Sequence, residues 1–380
     1  MSQQTVRVGI LGFGSRGVSL VAPILDNNLN NQIAVIIDPD ESRARYYLNM
    51  IAEQGQIPRD EAARVRFAKS LDELRPGEVD ALFLTASEIV RSRVFAQAVQ
   101  TGAHLYMEKG LAPDLEGGRR VVQGMKLLRP GQQVFMGFNL RHFPPLVHAK
   151  RILDSGRLGK PLYIHYVETL TNQHGGSFYM RFHRDVKNSG GMLVTKACHD
   201  FDMIGHLLGA RPQRVFSSQH NMFFGKGGPQ ARQDCRSCDR TADCEWDRLR
   251  TQRSRAAKRK YAQEWTDADK VTTDGYCPDA CVWRSDTQVR DLSQVLLQYA
   301  NGLPANYTQV LFSPKGNRVI QVFCEQGSLV FDESSRSLQV ADRWNTTAEN
   351  IAVKPGPDGH GGSDTGVVEA FFRSIRQGVP

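Results

Sequence analysis

Apolar residues recur along the first third of the chain in short runs separated by longer amphipathic stretches. The runs Val6-Arg7-Val8-Gly9-Ile10-Leu11, Ile33-Ala34-Val35-Ile36-Ile37, Val65-Arg66-Phe67, Ala81-Leu82-Phe83-Leu84, His104-Leu105-Tyr106-Met107 and Val134-Phe135-Met136-Gly137 have the length and composition of buried strands. Segments near 16–29, 41–54, 89–101 and 114–129 read as the helices between them. Strand and helix in alternation predict a doubly wound, mainly parallel α/β sheet over residues 1–138.

After Phe138 the rhythm changes. A helix near 144–155 closes at Gly156, a strand runs over Leu162–Thr169, and a helix is expected over Lys196–Leu208. Strand-like runs follow at Arg214–Ser218, Val289–Tyr299, Ala305–Phe312, Asn317–Cys324 and Ser328–Asp332. Short turns such as Glu325-Gln326-Gly327 predict a mainly antiparallel open sheet covered by helices, hence an α+β second domain over residues 139–345. Residues 225–285, rich in Gly, Arg and Cys, interrupt it as an insertion, and 346–380 supply a Pro/Gly loop and a helix near 365–377.

Composition narrows the class. A length of 380 residues suits two domains, and 40% hydrophobic with 23% charged residues excludes wholesale disorder. No apolar run reaches the roughly 18 residues a membrane span needs, and Met1–Arg7 leads into a strand without the features of an export signal, so a cytoplasmic location is expected. Seven of the basic residues behind the net charge of +8 fall between Arg248 and Lys260, followed only by Tyr261 and Trp265. A solvated helix face is the expectation there, with neither nucleic acid nor membrane as partner. Five of the seven cysteines lie between 235 and 281, which speaks for metal before disulfides in a chain without an export signal.

Gly12-Phe13-Gly14-Ser15-Arg16-Gly17 follows the first strand and opens the first helix. In a GxGxxG turn of that context the first glycine permits the tight turn, the second admits a pyrophosphate to the backbone, and the third lets helix and strand pack. The helix N-terminus then faces the phosphates. Asp38, ending the second strand, can accept both hydroxyls of an adenosine ribose and repel a 2′-phosphate, favouring NAD over NADP; Arg43 nearby could receive that phosphate instead. The first domain therefore reads as a Rossmann domain. Thr85-Ala86-Ser87, Glu108, Lys109 and Asn139 complete the expected cofactor contacts.

The opening turn, Glu108-Lys109, Gly137-Phe138-Asn139-Leu140-Arg141, and Gly190-Gly191 followed by Cys198-His199-Asp200-Phe201-Asp202 together resemble the glucose-fructose oxidoreductase, inositol dehydrogenase and rhizopine-catabolism (Gfo/Idh/MocA) family over nearly the whole chain. The resemblance implies an NAD(P)-dependent sugar or polyol oxidoreductase whose C-terminal sheet makes a homo-oligomer, a dimer or tetramer. It places Lys109 where the family's Glu-Lys-Pro lysine touches cofactor and reacting hydroxyl, with Gly110 in the proline's place. It also puts Thr195 where the family carries an acid four residues before the histidine. On a continuous helix Thr195, Lys196, His199 and Asp202 would share one face. Imidazole titrates near neutrality, so His199 is the expected base, with Lys109 or Lys196 as the alternative if desolvated beside another cation.

For a polyhydroxylated substrate the expected contacts are Arg141, His174, Tyr179, Arg181, His183, Arg184 and Asp202. Resemblance to one branch of the family selects Cys235, Cys238, Cys244 and Cys281 as ligands of a structural zinc, with Cys277 additional; an iron–sulfur cluster, disulfides and free thiols remain alternatives. Cys198 and Cys324 read as packing residues. The expected reaction moves a hydride between a secondary hydroxyl of a sugar, glycoside or cyclitol and nicotinamide. Glycoside cleavage by oxidation, elimination and re-reduction, and a non-enzymatic dinucleotide-binding regulator, are the alternatives the family offers. Its members often continue beyond the position of Pro380, so a longer natural chain is allowed for.

Overall fold

The computed structural model describes residues 5–26, 28–235, 237–240, 243–246, 279–344, 347–354, 356, 358 and 360–378. The basic run Arg248–Lys260 and Cys277 lie outside them.

Six strands form a wholly parallel sheet in the order β3-β2-β1-β4-β5-β6: β1 Val6–Leu11, β2 Asn31–Ile37, β3 Arg66–Ala68, β4 Ala81–Leu84, β5 His104–Glu108 and β6 Val134–Gly137. Helices α1 (Ser15–Ile24), α2 (Glu41–Glu53), α3 (Arg59–Arg64), α4 (Glu88–Gln100) and α5 (Leu115–Met125) connect them. The order reverses beside β1, so the carboxyl ends of β1 and β4 open a crevice at the topological switch point, where α/β sheets bind ligands. Both faces are apolar, which is why these strands read as continuous hydrophobic runs rather than alternating ones.

Helix α6 (Pro144–Asp154) leads to β7 (Pro161–Thr171), then α7 (Asn172–Met180), α8 (Val186–Ser189), α9 (Met192–Thr195) and α10 (Cys198–Leu208). Strands β8 (Pro212–His220), β9 (Leu292–Tyr299), β10 (Pro304–Ser313), β11 (Asn317–Cys324), β12 (Gly327–Asp332), β13 (Ser337–Asp342) and β14 (Glu349–Ala352) join β7 in an eight-stranded sheet ordered β14-β13-β12-β11-β7-β10-β9-β8. All its pairings are antiparallel except β7 with β10. One face buries Ile164, Tyr166, Tyr307, Ile320 and Phe331 under α6 and α10; the other shows Phe216, Leu296 and Phe323 to solvent. The chain closes with α11 (Ser363–Gln377), whose Val367, Val368, Phe371 and Phe372 pack beside Phe83 and Tyr106 in the first sheet's core.

The expected single helix Lys196–Leu208 is divided. Lys196 and Ala197 lie between α9 and α10, with Lys196 at φ −116° and ψ −55°. Beside this break the Lys196 side chain pairs with Glu168 of β7.

Candidate active site at the meeting of the two sheets

The glycine turn has the geometry its spacing demands. Gly12 sits at φ +88°, and a Cβ there would stand 2.5 Å from the backbone of Ala86. At Gly17 it would meet the Gly12 carbonyl at 2.6 Å, while at Gly14 it would meet nothing within 4 Å. Gly12 and Gly17 are thus required by packing, whereas Gly14 leaves exposed backbone for a ligand to approach beside Ser15. Among the described residues the cradle fits a dinucleotide pyrophosphate.

Other expected cofactor contacts act by shaping this cradle. Phe13 is fully buried, and its N–H donates to Asp38 Oδ2 at 2.8 Å. Asp38 Oδ1 accepts from the Asp40 N–H and from Arg43, each at 2.9 Å, so the pair expected to read the ribose already holds itself. Thr85 donates its hydroxyl to the Gly12 carbonyl at 2.6 Å, bracing the turn, and Ala86 packs on Gly12. Arg16 does not reach out to phosphate: its guanidinium joins Glu108 at 2.6 Å and Asp364 at 2.9 Å. Asn139 donates to the same Asp364 at 2.9 Å. Ser87, at the N-cap of α4, is half-buried.

Lys109 directly follows β5 and reaches across to the second domain, donating Nζ–H to the Thr195 carbonyl at 2.8 Å. Gly110 follows at φ +72°, with a trans peptide, in a left-handed turn that proline cannot adopt. His199 is 9% exposed, packs edge-on to Phe138, and its Nδ1 has no hydrogen-bond partner. Burial first, then the charges of Lys109, Lys196, Arg318 and Arg16, push its pKa well below the usual histidine value. The imidazole is therefore neutral at pH 7.

The common face expected for Thr195, Lys196, His199 and Asp202 does not form. Lys196 turns to Glu168, 3.2 Å away and fully buried. Arg318 spans Glu168 at 2.6 Å and Asp200 at 3.1 Å. Tyr166 and Tyr307 donate to Asp200 at 2.7 and 2.8 Å, and Gln309 donates to Glu168 at 2.8 Å. Burial lowers the Lys196 pKa against the pull of Glu168. It raises that of Asp200, with the Glu168 charge adding to the effect. The network joins Tyr166 and Glu168 of β7, Tyr307 and Gln309 of β10 and Arg318 of β11 to Lys196 and to Asp200 of α10.

Of the expected substrate contacts, some gather and others do not. His174, Arg181 and His183 surround Phe178: His174 stacks on its ring, Arg181 lies 5.0 Å above it, and His183 meets it edge-on. His183 Nδ1 is buried without a partner, and burial, with the Arg181 and Lys109 charges, pushes its pKa down to about 3. Arg141 and Asp202 instead pair with each other at 2.6 Å, Arg184 pairs with Asp286 at 2.5 Å, and the Tyr179 hydroxyl donates to Asn221 at 2.9 Å within the apolar cluster that also holds Phe178. Tyr179, 1% exposed, is a core residue.

Cys235, Cys238, Cys244 and Cys281 line one cavity of about 350 Å³ with Trp246 and Trp283. Among the described residues, however, no three His, Cys, Asp or Glu side chains stand close enough to hold a metal ion, so the expected zinc set does not fit as placed.

Sequence reasoning passed over Glu88, Arg91, Asp364 and the Glu168–Arg318–Asp200 network. Period-2 alternation along Ile164, Tyr166, Glu168 and Leu170 puts the acid on the apolar face, a signal that was present. Glu88 and Arg91 directly follow the Thr85–Ser87 turn, three residues apart on α4.

Comparison with known proteins agrees with the geometry. The family model described as oxidoreductase family, NAD-binding Rossmann fold, matches residues 6–138, and the GFO/IDH/MocA C-terminal domain matches 146–330. A Bacillus subtilis (strain 168) protein, YteT, described only as an oxidoreductase, is 22% identical over 95% of this chain and 87% of its own. An inositol 2-dehydrogenase of Corynebacterium glutamicum is 27% identical over 55% of this chain and 56% of its own, so the match spans about half of that relative. In fold, an oxidoreductase domain protein from Kribbella flavida superposes with a TM-score of 0.71 at 15% identity, over 99% of this chain and 91% of that one. A levoglucosan dehydrogenase in complex with NADH and levoglucosan superposes at 0.67 and 17%, over 99% and 91%. With both domains matched in order over most of its length, the chain belongs to the Gfo/Idh/MocA family of oxidoreductases.

Proposed function

We propose that this protein is an NAD-dependent dehydrogenase that oxidises a secondary hydroxyl of a sugar, glycoside or cyclitol, or reduces the matching ketone. The observation that carries the reading is the buried, neutral His199, with an unpartnered nitrogen, in the field of the Lys109 ammonium. NAD, when bound, supplies the hydride acceptor at nicotinamide C4. The chain's own groups do the rest. Lys109 orients the substrate hydroxyl and favours its alkoxide, and His199 receives the proton. Neighbouring cations make the imidazole a weak base, which suits a proton shared with an alkoxide that Lys109 stabilises. His174, Arg181 and His183 present donors to the remaining hydroxyls. The inositol and levoglucosan dehydrogenases among the relatives and structural neighbours support a polyol substrate. The Asp38–Arg43 pair supports NAD before NADP, because Asp38 offsets the charge that would attract a 2′-phosphate.

The test is a panel of sugars, glycosides and cyclitols with NAD or NADP, read by absorbance of the reduced cofactor. His199→Ala should cut kcat by about 10²- to 10⁴-fold while NADH binding, followed by fluorescence, persists. Unchanged turnover in that variant would remove His199 as the base. A homo-oligomer formed by the uncovered face of the eight-stranded sheet belongs to the same reading, since Phe216, Leu296 and Phe323 are exposed there. Phe216→Asp should lower the mass measured by light scattering; a monomeric parent chain would refute the interface.

A further inference from the structure

Glu88 is an acid at the first position of α4, and it is 5% exposed. Its Oε1 accepts the Thr195 hydroxyl at 2.7 Å, a bond between side chains 107 residues apart that joins the two domains. Thr195 is 2% exposed, and its carbonyl is the acceptor that holds Lys109 Nζ. Glu88 also lies directly over the turn after Lys109: a Cβ on Gly110 would stand 2.7 Å from Glu88 Cγ. Arg91, one helical turn on, donates to the carbonyls of Lys109 at 2.7 Å and Gly110 at 2.5 Å, and to that of Ala86. Lys109 is thus held from two directions, its backbone by Arg91 and its ammonium by a carbonyl whose residue Glu88 pins.

We propose that Glu88 is the positioning residue for Lys109: acting through the Thr195 hydroxyl, it ties the Thr85–Ser87 turn to the helix pair that carries His199, so that the ammonium and the imidazole keep one separation. This deepens the dehydrogenase reading and rests on its assignment of Lys109 and His199. A bland structural carboxylate would need neither a glycine beneath it nor a hydroxyl from the opposite domain. Gly110 and Thr195 are explained together, one as the space Glu88 occupies and the other as the donor it requires.

The test compares Glu88→Leu, Thr195→Val and their double variant with the conservative Glu88→Gln and Thr195→Ser in the full chain. The first readout needs no turnover: acetylation of Lys109 by acetic anhydride, followed by peptide mass spectrometry with and without NAD. Labelling should rise several-fold in Glu88→Leu and Thr195→Val, and return toward the parent rate in Thr195→Ser and Glu88→Gln, which keep a donor and an acceptor. The second readout is kinetic. With a turned-over polyol, kcat should fall about 10- to 100-fold with KM within about threefold, and the double variant should be no worse than the weaker single one. Unchanged Lys109 labelling in a folded, NADH-binding Glu88→Leu variant overturns the proposal, as do additive losses. If Glu88→Leu does not fold, the Thr195→Val and Thr195→Ser pair decides by the same readouts. Altered labelling without turnover of any polyol would sink the dehydrogenase reading and leave the Glu88 contact standing; unchanged labelling in an active enzyme would do the reverse.

Discussion

Asp38 shows how one side chain serves both cofactor choice and folding. It caps the Phe13 N–H inside the glycine turn and neutralises Arg43. Asp38→Ser should free Arg43 for a 2′-phosphate and move the NADP-to-NAD ratio of kcat/KM upward by about tenfold or more. The lost buried acceptor should cost about 1–3 kcal/mol, visible in urea unfolding. An unchanged ratio would mean that Arg43 does not face the ribose. Residues of this kind were legible in sequence because strand, glycine turn and acid come in a spacing with a mechanism. Glu88 and Arg91 were not, because charges three apart on a helix usually decorate a solvated face, and only the packed turn at Gly110 shows them to be buried.

At the level of elements, the first sheet and the strands of the second as far as β12 could be read from apolar runs and alternation, while β13, β14, which lies where a loop was expected, and α7 were not. Asn172–Met180 contains Gly175 and Gly176, poor helix formers, yet it is helical because it lies against β10. A Cβ on Gly175 would stand 1.8 Å from the Leu311 carbonyl, and one on Gly176 would stand 2.7 Å from the Trp246 ring. Tertiary contact overrides propensity there. Gly175→Ala should therefore destabilise by about 1–3 kcal/mol or more, since backbone must move. Gly14→Ala, which meets nothing within 4 Å, should leave the melting temperature near that of the parent and weaken NADH binding. Thermal melts and NADH titration on the two variants separate the effects; strong destabilisation by Gly14→Ala would contradict the open cradle. The break at Lys196-Ala197 was also invisible to periodicity, because the buried Glu168 that draws Lys196 aside comes from a strand distant in sequence.

For the molecule as a whole, pH acts through groups whose charged forms the fold opposes or favours. His183, pushed down to about 3, and His199, well below its ordinary 6.5, stay neutral where the unfolded chain would take up protons. Stability should thus decline as pH falls below 6.5, and His183→Asn should flatten that limb of a plot of melting temperature against pH. Asp364 works in a lower window: burial opposes its ionisation, but hydrogen bonding from His360 and the Arg16 charge hold its pKa near 2. Its contribution is complete above the ordinary carboxylate value and lost as pH falls through about 2, so Asp364→Asn should lower the melting temperature at neutral pH and approach the parent's as pH falls toward about 2.

The placement of α11 has a consequence for the order of events during synthesis. Phe83 and Tyr106, in the domain that emerges first, pack beside Phe371 and Phe372. Asp364, which completes the Arg16 and Asn139 contacts at the glycine turn, arrives with the same helix. The nascent first domain therefore waits with an apolar flank uncovered while the entire second domain is translated, an interval in which a holding chaperone would have something to grip. The Arg16 and Asn139 contacts beside the glycine turn are completed only after α11 has been made.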